Sequence, residues 1–453
     1  MTALFQKIIA FFMAIGTFFA GLFGLPKPVD VYGTYGLPVF TAGIRKGVYE
    51  SADSTLIARY ERVKESAFDD YVAALKQEGF AVYDENRIES NRFVTLTDDD
   101  TTATVSWFKG NSGRAKNGTL RIIAEPKGGL CPLTDPCEET YDTLLTGMKG
   151  ETVVAAEGMG YIIRLADGSF CIIDGGMGDP DHVDSNKLMN ILLAQKPANA
   201  EKPVIAAWIF SHLHGDHIGV FNCFSLDHHD DVTVERFYFN FPKEEETAAS
   251  DSPYMLDDTI YRYTQFKKNL AEFYADVPVV KLHSGNRFAV RNASFETLYA
   301  YDDLYPKTIL DGGMNECSLL LKMTVGGQTT LWTGDFAFNA TDLVLSEYDE
   351  ALASDLLQLA HHGMNGTEAL YAKVNPTYAL LPVWEGGLAM MLEKEQNRWL
   401  VNSQKMKQMI VTGCGTWTIR LPYDPVPGSY ERIPADSTVY PAYPALLGEG
   451  SGS

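Results

Sequence analysis

The stretch Ser211–Gly219, which reads Ser-His-Leu-His-Gly-Asp-His-Ile-Gly, carries three histidines and an aspartate within six residues. The apolar run Val204–Phe210 precedes it and predicts a strand that ends in a tight loop. Alternate side chains at such a strand end project to one side, so His212 and His214 are expected to lie together. This loop is therefore the first candidate for a site with chemistry.

The loop continues into a predicted helix beginning at its glycine, and this helix would turn Asp216 and His217 back toward the same point. The alternative interpretation is a polar loop with unrelated histidines. Only nine histidines occur in the 453 residues, and three of them are here, which argues against chance clustering. Imidazole and carboxylate ligands in this combination favour two divalent metal ions, zinc in the first place, with manganese also compatible.

Two later segments place similar side chains directly after predicted strands. Asp335 follows Leu-Trp-Thr-Gly, and the pair His361 and His362 follows Leu-Leu-Gln-Leu-Ala. A carboxylate at 335 can bridge two metal ions through its two oxygens, although it could instead cap the helix predicted after it. Asp174 ends another predicted strand, where it would accept the free ring N–H of a ligating histidine or simply form the turn before two glycines.

The order of these motifs resembles the metallo-β-lactamase superfamily, whose metal loop reads His-x-His-x-Asp-His. The segments Asn315-Glu-Cys-Ser-Leu-Leu-Leu, Trp-Thr-Gly-Asp335 and Leu-Ala-His-His-Gly363 are similar to the hydrolase domain of bacterial DNA-uptake competence proteins. They also resemble the surface phosphorylcholine esterases that act on teichoic acid. The resemblance covers about residues 150–421 and implies an α/β (α+β) αββα sandwich, with two sheets packed face to face and helices outside.

The resemblance also implies two metal sites that share one carboxylate. The expected ligands are, at the first site, His212, His214, Asp335 and solvent, and, at the second, Asp216, His217, Asp335 and His361. His361 is preferred over His362 because it is nearer the strand end. Many family members have a histidine at a third motif where this chain has Asn315, which would open the first site toward substrate. Asp216, His361 and His362 are the expected catalytic residues, and Asn315 and His362 the expected substrate contacts.

The expected reaction is hydrolysis by a metal-bridging hydroxide, since two zinc ions lower the pKa of a bridging water to about 7. Lactamases of the commonest class use cysteine where this chain has Asp335, so a phosphodiesterase acting on a small or cell-surface substrate is favoured. A carboxylic ester, thioester or lactone hydrolase and a nuclease are the alternatives, and a membrane-tethered metal-binding protein is the non-enzymatic one. The net charge of −22 makes a nucleic-acid partner unlikely on electrostatic grounds.

Composition divides the chain into four parts. Residues 1–27 contain the uncharged run Ile8–Leu25 and predict a signal peptide or N-terminal membrane anchor, so that the protein is membrane-anchored facing the outside or secreted. Residues 28–148 predict a small α+β module without a cluster suited to chemistry. Residues 149–422 form the predicted hydrolase domain, and residues 423–453, rich in Pro, Gly, Ser and Tyr, an irregular tail.

Overall fold

The structure is a computed structural model that describes residues 29–51, 54–109, 118–151, 158–250, 255–304, 313–424 and 430–432. The signal peptide or anchor predicted over residues 1–27 lies outside this part of the chain and stays a prediction. None of the helices described is both long and apolar enough to span a bilayer. The chain divides into two compact units, Met1–Lys127 and Gly128–Ser453.

The first unit is one antiparallel sheet with a helix on it. Its elements are α1 (Val31–Tyr35), β1 (Ile44–Glu50), β2 (Leu56–Val63), α2 (Glu65–Gln77), β3 (Ala81–Ile88), β4 (Asn91–Thr97), β5 (Thr101–Phe108) and β6 (Gly118–Pro126). The six strands pair in the order β1-β2-β6-β5-β4-β3. Phe68 and Leu75 of α2 enter one apolar core with Val105 and Ile122 of the central strands. An amphipathic helix thus covers one face of the sheet.

The second unit holds two further sheets. Its strands are β7 (Thr143–Gly147), β8 (Gly160–Arg164), β9 (Phe170–Asp174), β10 (Val204–Ile209), β11 (Thr233–Val234), β12 (Phe237–Phe239), β13 (Val279–Lys281), β14 (Arg287–Val290), β15 (Ala293–Tyr299), β16 (Leu320–Val325), β17 (Gln328–Trp332), β18 (Leu356–Gln358), β19 (Tyr378–Trp384), β20 (Gln408–Gly413), β21 (Trp417–Leu421) and β22 (Tyr430–Arg432). Its helices are α3 (Val183–Gln195), α4 (Gly215–His228), α5 (Glu244–Ser250), α6 (Leu256–Phe273), α7 (Phe338–Glu347), α8 (Glu368–Val374), α9 (Leu388–Leu392) and α10 (Glu395–Val401).

The two sheets pack face to face around a shared core. The first has the order β13-β12-β10-β9-β8-β7-β21-β22, with β11 also paired to β10, and the second the order β14-β15-β16-β17-β18-β19-β20. Tyr161 of the first sheet lies against Trp332 of the second, with ring centroids 5.0 Å apart. On the outer face of β10, Trp208 packs edge-on against Phe221 and Phe224 of α4. Helices α7 and α9 contact strands β15 and β19 of the other sheet. The expected αββα sandwich is therefore present.

Two boundaries differ from those expected from composition. Residues 128–148 fall in the second unit, because β7 hydrogen-bonds to β8 and β21 of its first sheet. The residues after 422 are not wholly irregular, since Tyr430–Arg432 pairs with Trp417–Ile419. Strand pairing between segments far apart in sequence leaves no mark in local composition, which explains both differences.

Candidate metal centre

The candidate residues converge where strands of both sheets end. His212 and His214 follow β10, and the loop runs directly into α4, whose first turn carries Asp216 and His217. Asp335 follows β17 of the other sheet, and its backbone N–H donates to Ser318 Oγ at 3.0 Å. Carboxyl ends of strands in α/β sheets commonly carry sites of this kind. The predicted convergence of separate chain segments is thus realised.

Two groups of side chains are close enough to hold metal ions. One comprises Asp216, His217, Asp335 and His362, and the other comprises His212, His214 and Asp335, and within each the potential ligand atoms lie within 4.8 Å of one another. All of these residues are buried. Asp335 is common to both groups, which is the sharing expected from the sequence.

The donor atoms of the second-site group face one another. His217 Nε2 lies 3.1 Å from Asp335 Oδ1 and 3.9 Å from Asp216 Oδ2. His362 Nε2 lies 3.0 Å from Asp216 Oδ2 and 3.7 Å from Asp335 Oδ2. In the other group, His212 Nε2 approaches His214 Nδ1 to 3.1 Å and Asp335 Oδ2 to 3.7 Å. Small shifts in side-chain position would bring either set around one cation.

Unpartnered buried atoms provide the test of whether a metal fits here. Both carboxylate oxygens of Asp335 and Nε2 of His217 are buried, and among the described residues none of them makes a hydrogen bond of good geometry, although His217 Nε2 lies 3.1 Å from Asp335 Oδ1. A buried carboxylate without hydrogen bonds is costly unless a cation compensates it. Nitrogen and carboxylate donors of this kind suit zinc or manganese. The residues therefore fit two divalent ions, and their chemistry leaves the choice of metal open.

Asp174 orients His217 from behind. Its Oδ2 accepts a hydrogen bond from His217 Nδ1 at 2.8 Å, which leaves Nε2 as the donor atom facing Asp335. Ser211 holds the carboxylate in place by donating from its backbone N–H and from Oγ, both at 2.7 Å. Asp174 itself adopts a left-handed φ of 56°, a strained conformation that is often found at functional sites. The predicted supporting contact to a histidine is thus seen.

The adjacent histidines His361 and His362 have different environments. His362 is fully buried, and its Nδ1 donates to the carbonyl oxygen of Pro382 at 2.6 Å, so Nε2 is free to bind a metal. The His361 side chain is 23% exposed, with Nε2 3.6 Å from Asp335 Oδ2. Its Nδ1 lies 3.4 Å from the side-chain nitrogen of Asn315. The geometry thus groups His362 with Asp216, His217 and Asp335, where the sequence had favoured His361 as the ligand.

The backbone explains this reversal. Both histidines have left-handed φ angles, 50° at His361 and 54° at His362, and the following Gly363 also has a positive φ. Distance from the strand end is a guide to side-chain direction only while the backbone stays extended. Two successive left-handed residues turn the second imidazole inward and leave the first at the rim.

Burial and charge act against each other in the metal-free site. Burial lowers the pKa of His217, but Asp335, Asp174 and Asp216 outweigh it, and the pKa lies well above its usual value. Burial raises the pKa of Asp335, yet the neighbouring histidines, His217 foremost, hold it well below its usual value. For His212, burial and the charge of His217 both lower the pKa. Protons on His217 therefore supply positive charge that a cation would supply in the loaded site.

Asn315 lies beside the site, on the short 3₁₀ helix Gly313–Cys317. It is 8% exposed, and its Oδ1 is buried without a hydrogen-bond partner in the described part of the chain. Its position next to His361 is compatible with the predicted substrate contact. His362, the other predicted substrate contact, is fully buried against Pro382 and Asp216 instead.

Three contributing residues were missed from the sequence. Ser211 fixes Asp174, Pro382 orients His362, and Ser318 anchors the backbone of Asp335. Ser211 directly precedes the metal loop and could have been found by asking which neighbour supports it. Pro382 acts through a backbone carbonyl, which carries no residue-type signal.

No protein-family model matches the chain, and no curated protein matches it. Among solved structures it is similar to the metallo-β-lactamase fold protein YhfI from Bacillus subtilis, at 15% identity over 60% of this chain and 96% of that one, with a TM-score of 0.34. It is also similar to CmlA, a diiron β-hydroxylase from Streptomyces venezuelae, at 12% identity over 60% of this chain and 51% of that one (TM-score 0.30). The flavodiiron core of Flv1 from Synechocystis matches at 10% identity over 61% and 62% of the two chains (TM-score 0.27).

The architecture of the chain itself defines its fold. Two sheets share one core, helices cover their outer faces, and side chains suited to metal binding follow β10, β17 and β18 in the order that the sequence predicted. The second unit is an αββα sandwich, the architecture that the resemblance to the metallo-β-lactamase superfamily implied.

Proposed function

We propose that this protein is a metal-dependent hydrolase that cleaves phosphodiesters. The observation that carries the proposal is Asp335, a fully buried carboxylate that is shared by two groups of metal-binding side chains and whose oxygens make no well-formed hydrogen bond in the described part of the chain. Two divalent ions bound there would activate a water and neutralise the negative charge that develops on a phosphoryl group. Side chains of the protein would bind these ions and protonate the leaving group.

His217 and His362 are oriented so that the Nε2 lone pair of each points into the site. The carboxylate of Asp174 and the carbonyl of Pro382 only accept hydrogen bonds, so each fixes the proton of its histidine, His217 or His362, on Nδ1. Once the additional proton on Nε2 is released, the Nε2 lone pairs face Asp335 and Asp216. This arrangement favours metal binding because the ligands need little reorganisation.

His361 is the proposed proton donor to the leaving group. Its imidazole is partly exposed, while Nε2 points toward the carboxylate shared by both groups. As the imidazolium, His361 would give its Nε2 proton to the leaving group and keep the proton on Nδ1, which lies 3.4 Å from the side-chain amide of Asn315. A donor at this rim position would reach a leaving-group oxygen without being a metal ligand.

The donor set supports a phosphodiester rather than a lactam. Carboxylates from Asp216 and Asp335 stand at the centre together with histidines, and no cysteine belongs to either group. Hard oxygen donors suit ions that bind phosphoryl oxygens. The same site could attack a carboxylic ester, thioester or lactone, so the test includes those classes.

The proposal is tested with the purified full chain, loaded separately with zinc and with manganese. The panel contains bis-p-nitrophenyl phosphate, p-nitrophenyl acetate, an acyl thioester, a homoserine lactone and duplex DNA. We expect turnover of the phosphodiester that is lost on chelation and restored by metal. Turnover of the carboxylic substrates alone, or stoichiometric metal binding without any turnover, would overturn the phosphodiesterase assignment.

Two variants make the panel specific. His361→Ala should lower turnover while the protein keeps its metal, and His182→Ala is the matched control because that histidine pairs with Asp227 away from the site. A loss of turnover in both variants, or in neither, would contradict the role given to His361.

A further inference from the structure

The first turn of α4 is held from its outer side by a single arginine. Arg262 of α6 lies against Gly215, so closely that a Cβ added to this glycine would be 2.4 Å from Arg262 Cδ. Gly219, one turn further along, also lies close to the Arg262 guanidinium, since a Cβ added to it would be 2.8 Å from Nη1. Between these glycines are Asp216 and His217, whose side chains face the metal centre.

The guanidinium has hydrogen-bond partners on two elements, its own helix and the loop that follows Asp174. Arg262 Nε donates to both oxygens of Asp258 on the same helix, at 3.0 and 2.8 Å. Nη1 donates to the carbonyl oxygen of Met177 at 2.9 Å. Met177 lies three residues after Asp174, and the carbonyl of Arg262 in turn accepts from the side chain of Asn222 on α4. The Arg262 side chain therefore connects α6 to the loop that follows Asp174, and the Arg262 backbone carbonyl connects α6 to the metal-binding helix.

Next to Arg262, helix α4 and the loop after Asp174 are packed too closely to move independently of each other. A Cβ on Gly219 would lie 1.7 Å from the Met177 carbonyl oxygen, a backbone atom that cannot swing away. The backbone N–H of Val220 also donates to the carbonyl of Gly176 at 3.0 Å. Helix and loop are therefore in backbone contact here, and a shift of the loop moves the helix with it. Arg262 bonds to the loop at the point of contact.

The position of Arg262 is not explained by a role in filling the hydrophobic core. It borders an open cleft of about 270 Å³ that is also lined by Gly178, Cys223 and Gln265. Its side chain is 22% exposed and Asp258 is 44% exposed, so its removal would let water in rather than leave an empty cavity. A pair of this exposure also contributes little to stability by itself.

We propose that Arg262, held by Asp258, is a positioning residue for the metal centre. It fixes the first turn of α4 against the loop after Asp174, and so sets the directions of Asp216 and His217. This inference rests on the metal centre of the proposed function but not on its reaction. It predicts that Arg262 acts on the ion bound by Asp216, His217, Asp335 and His362 more than on the other ion.

The test measures zinc affinity by competition with a chromogenic chelator, with the wild-type chain, Arg262→Ala and Arg262→Lys. Supporting contacts to ligands typically change metal affinity by 10- to 100-fold, so Arg262→Ala should weaken one of the two binding steps by about tenfold. Lysine can reach the Met177 carbonyl but lacks the fork that also holds Asp258, so its effect should be intermediate. Lys267→Ala, which removes an exposed ion pair between α6 and Glu244 of α5, is the control and should bind like the wild type.

Thermal unfolding of the metal-free variants separates positioning from plain stability. An Arg262→Ala protein whose zinc affinities stay within twofold of the wild type, whatever its melting temperature, would overturn the proposal. If Arg262→Ala does not fold, Arg262→Lys decides in the same way. A wild-type chain that binds no divalent ion would instead refute the metal centre, so failure of the two proposals can be told apart.

A double-mutant cycle gives a second readout. Gly215→Ala forces Arg262 away, because the added Cβ would meet it at 2.4 Å. If the arginine positions the helix, the combined Gly215→Ala and Arg262→Ala protein should lose less zinc affinity than the two single changes predict together. Additive losses of zinc affinity would contradict the positioning role proposed for Arg262.

Discussion

Replacement of Asp335 by asparagine is the most informative single change, because this carboxylate belongs to both groups of metal-binding side chains. The substitution keeps the shape of the side chain and removes one charge. Asp335 is 1% exposed, so water cannot substitute for the lost ligand without rearrangement. Both ions should therefore be affected together.

The magnitude follows from mass action. An ion present at 100 times its Kd stabilises the folded state by about 2.7 kcal/mol, so two ions contribute about 5 kcal/mol. If the loss of Asp335 weakens each site by about 100-fold, the same metal concentration contributes about 0.4 kcal/mol per site. With about 2 °C per kcal/mol for a domain of this size, the metal-induced rise in melting temperature should fall from about 10 °C to under about 2 °C.

The assay compares thermal unfolding with and without zinc, together with metal content after desalting. The metal-free protein is the reference for each variant, so a change in intrinsic stability cancels. The control is Asp302→Asn, which alters another carboxylate of 1% exposure that accepts hydrogen bonds from Asn240 and His283. It should lower both melting temperatures and leave the metal-induced rise unchanged. An Asp335→Asn protein that keeps two ions and the full rise would refute the shared-ligand reasoning.

Three further predictions concern the histidines. His362→Ala should lose one ion while His361→Ala keeps both, as measured by metal content; the opposite result would reinstate His361 as the ligand. Asp174→Asn should weaken metal binding by about 10- to 100-fold, since asparagine can present its amide instead of an acceptor to His217; unchanged affinity in chelator competition would contradict this. Without metal, nearby carboxylates outweigh burial and raise the pKa of His217 and His362. Metal binding should therefore release protons, and the apparent metal affinity should rise with pH. Isothermal titration in buffers of different ionisation enthalpy would detect the released protons, and a metal affinity independent of pH would count against protonated histidines.

The sequence determined which residues could bind metal and where along the chain they lie. His212, His214, Asp216 and His217 are close in sequence, and a strand followed by a helix start is enough to bring them together. Asp335 follows a strand and a glycine, and the order of motifs in the family resemblance favoured a ligand there over a helix cap. The structure brings these side chains together, because the direction of each depends on the local backbone that residue type and spacing encode.

Only the tertiary structure decided between His361 and His362. His362 meets Asp216 across 146 positions of sequence and Pro382 across 20, and its direction depends on two left-handed backbone angles. Arg262 likewise reaches Met177, 85 residues away, at a point defined only by the packing of α6 on α4. Such contacts depend on how separate elements pack, and local patterns carry no information about that packing.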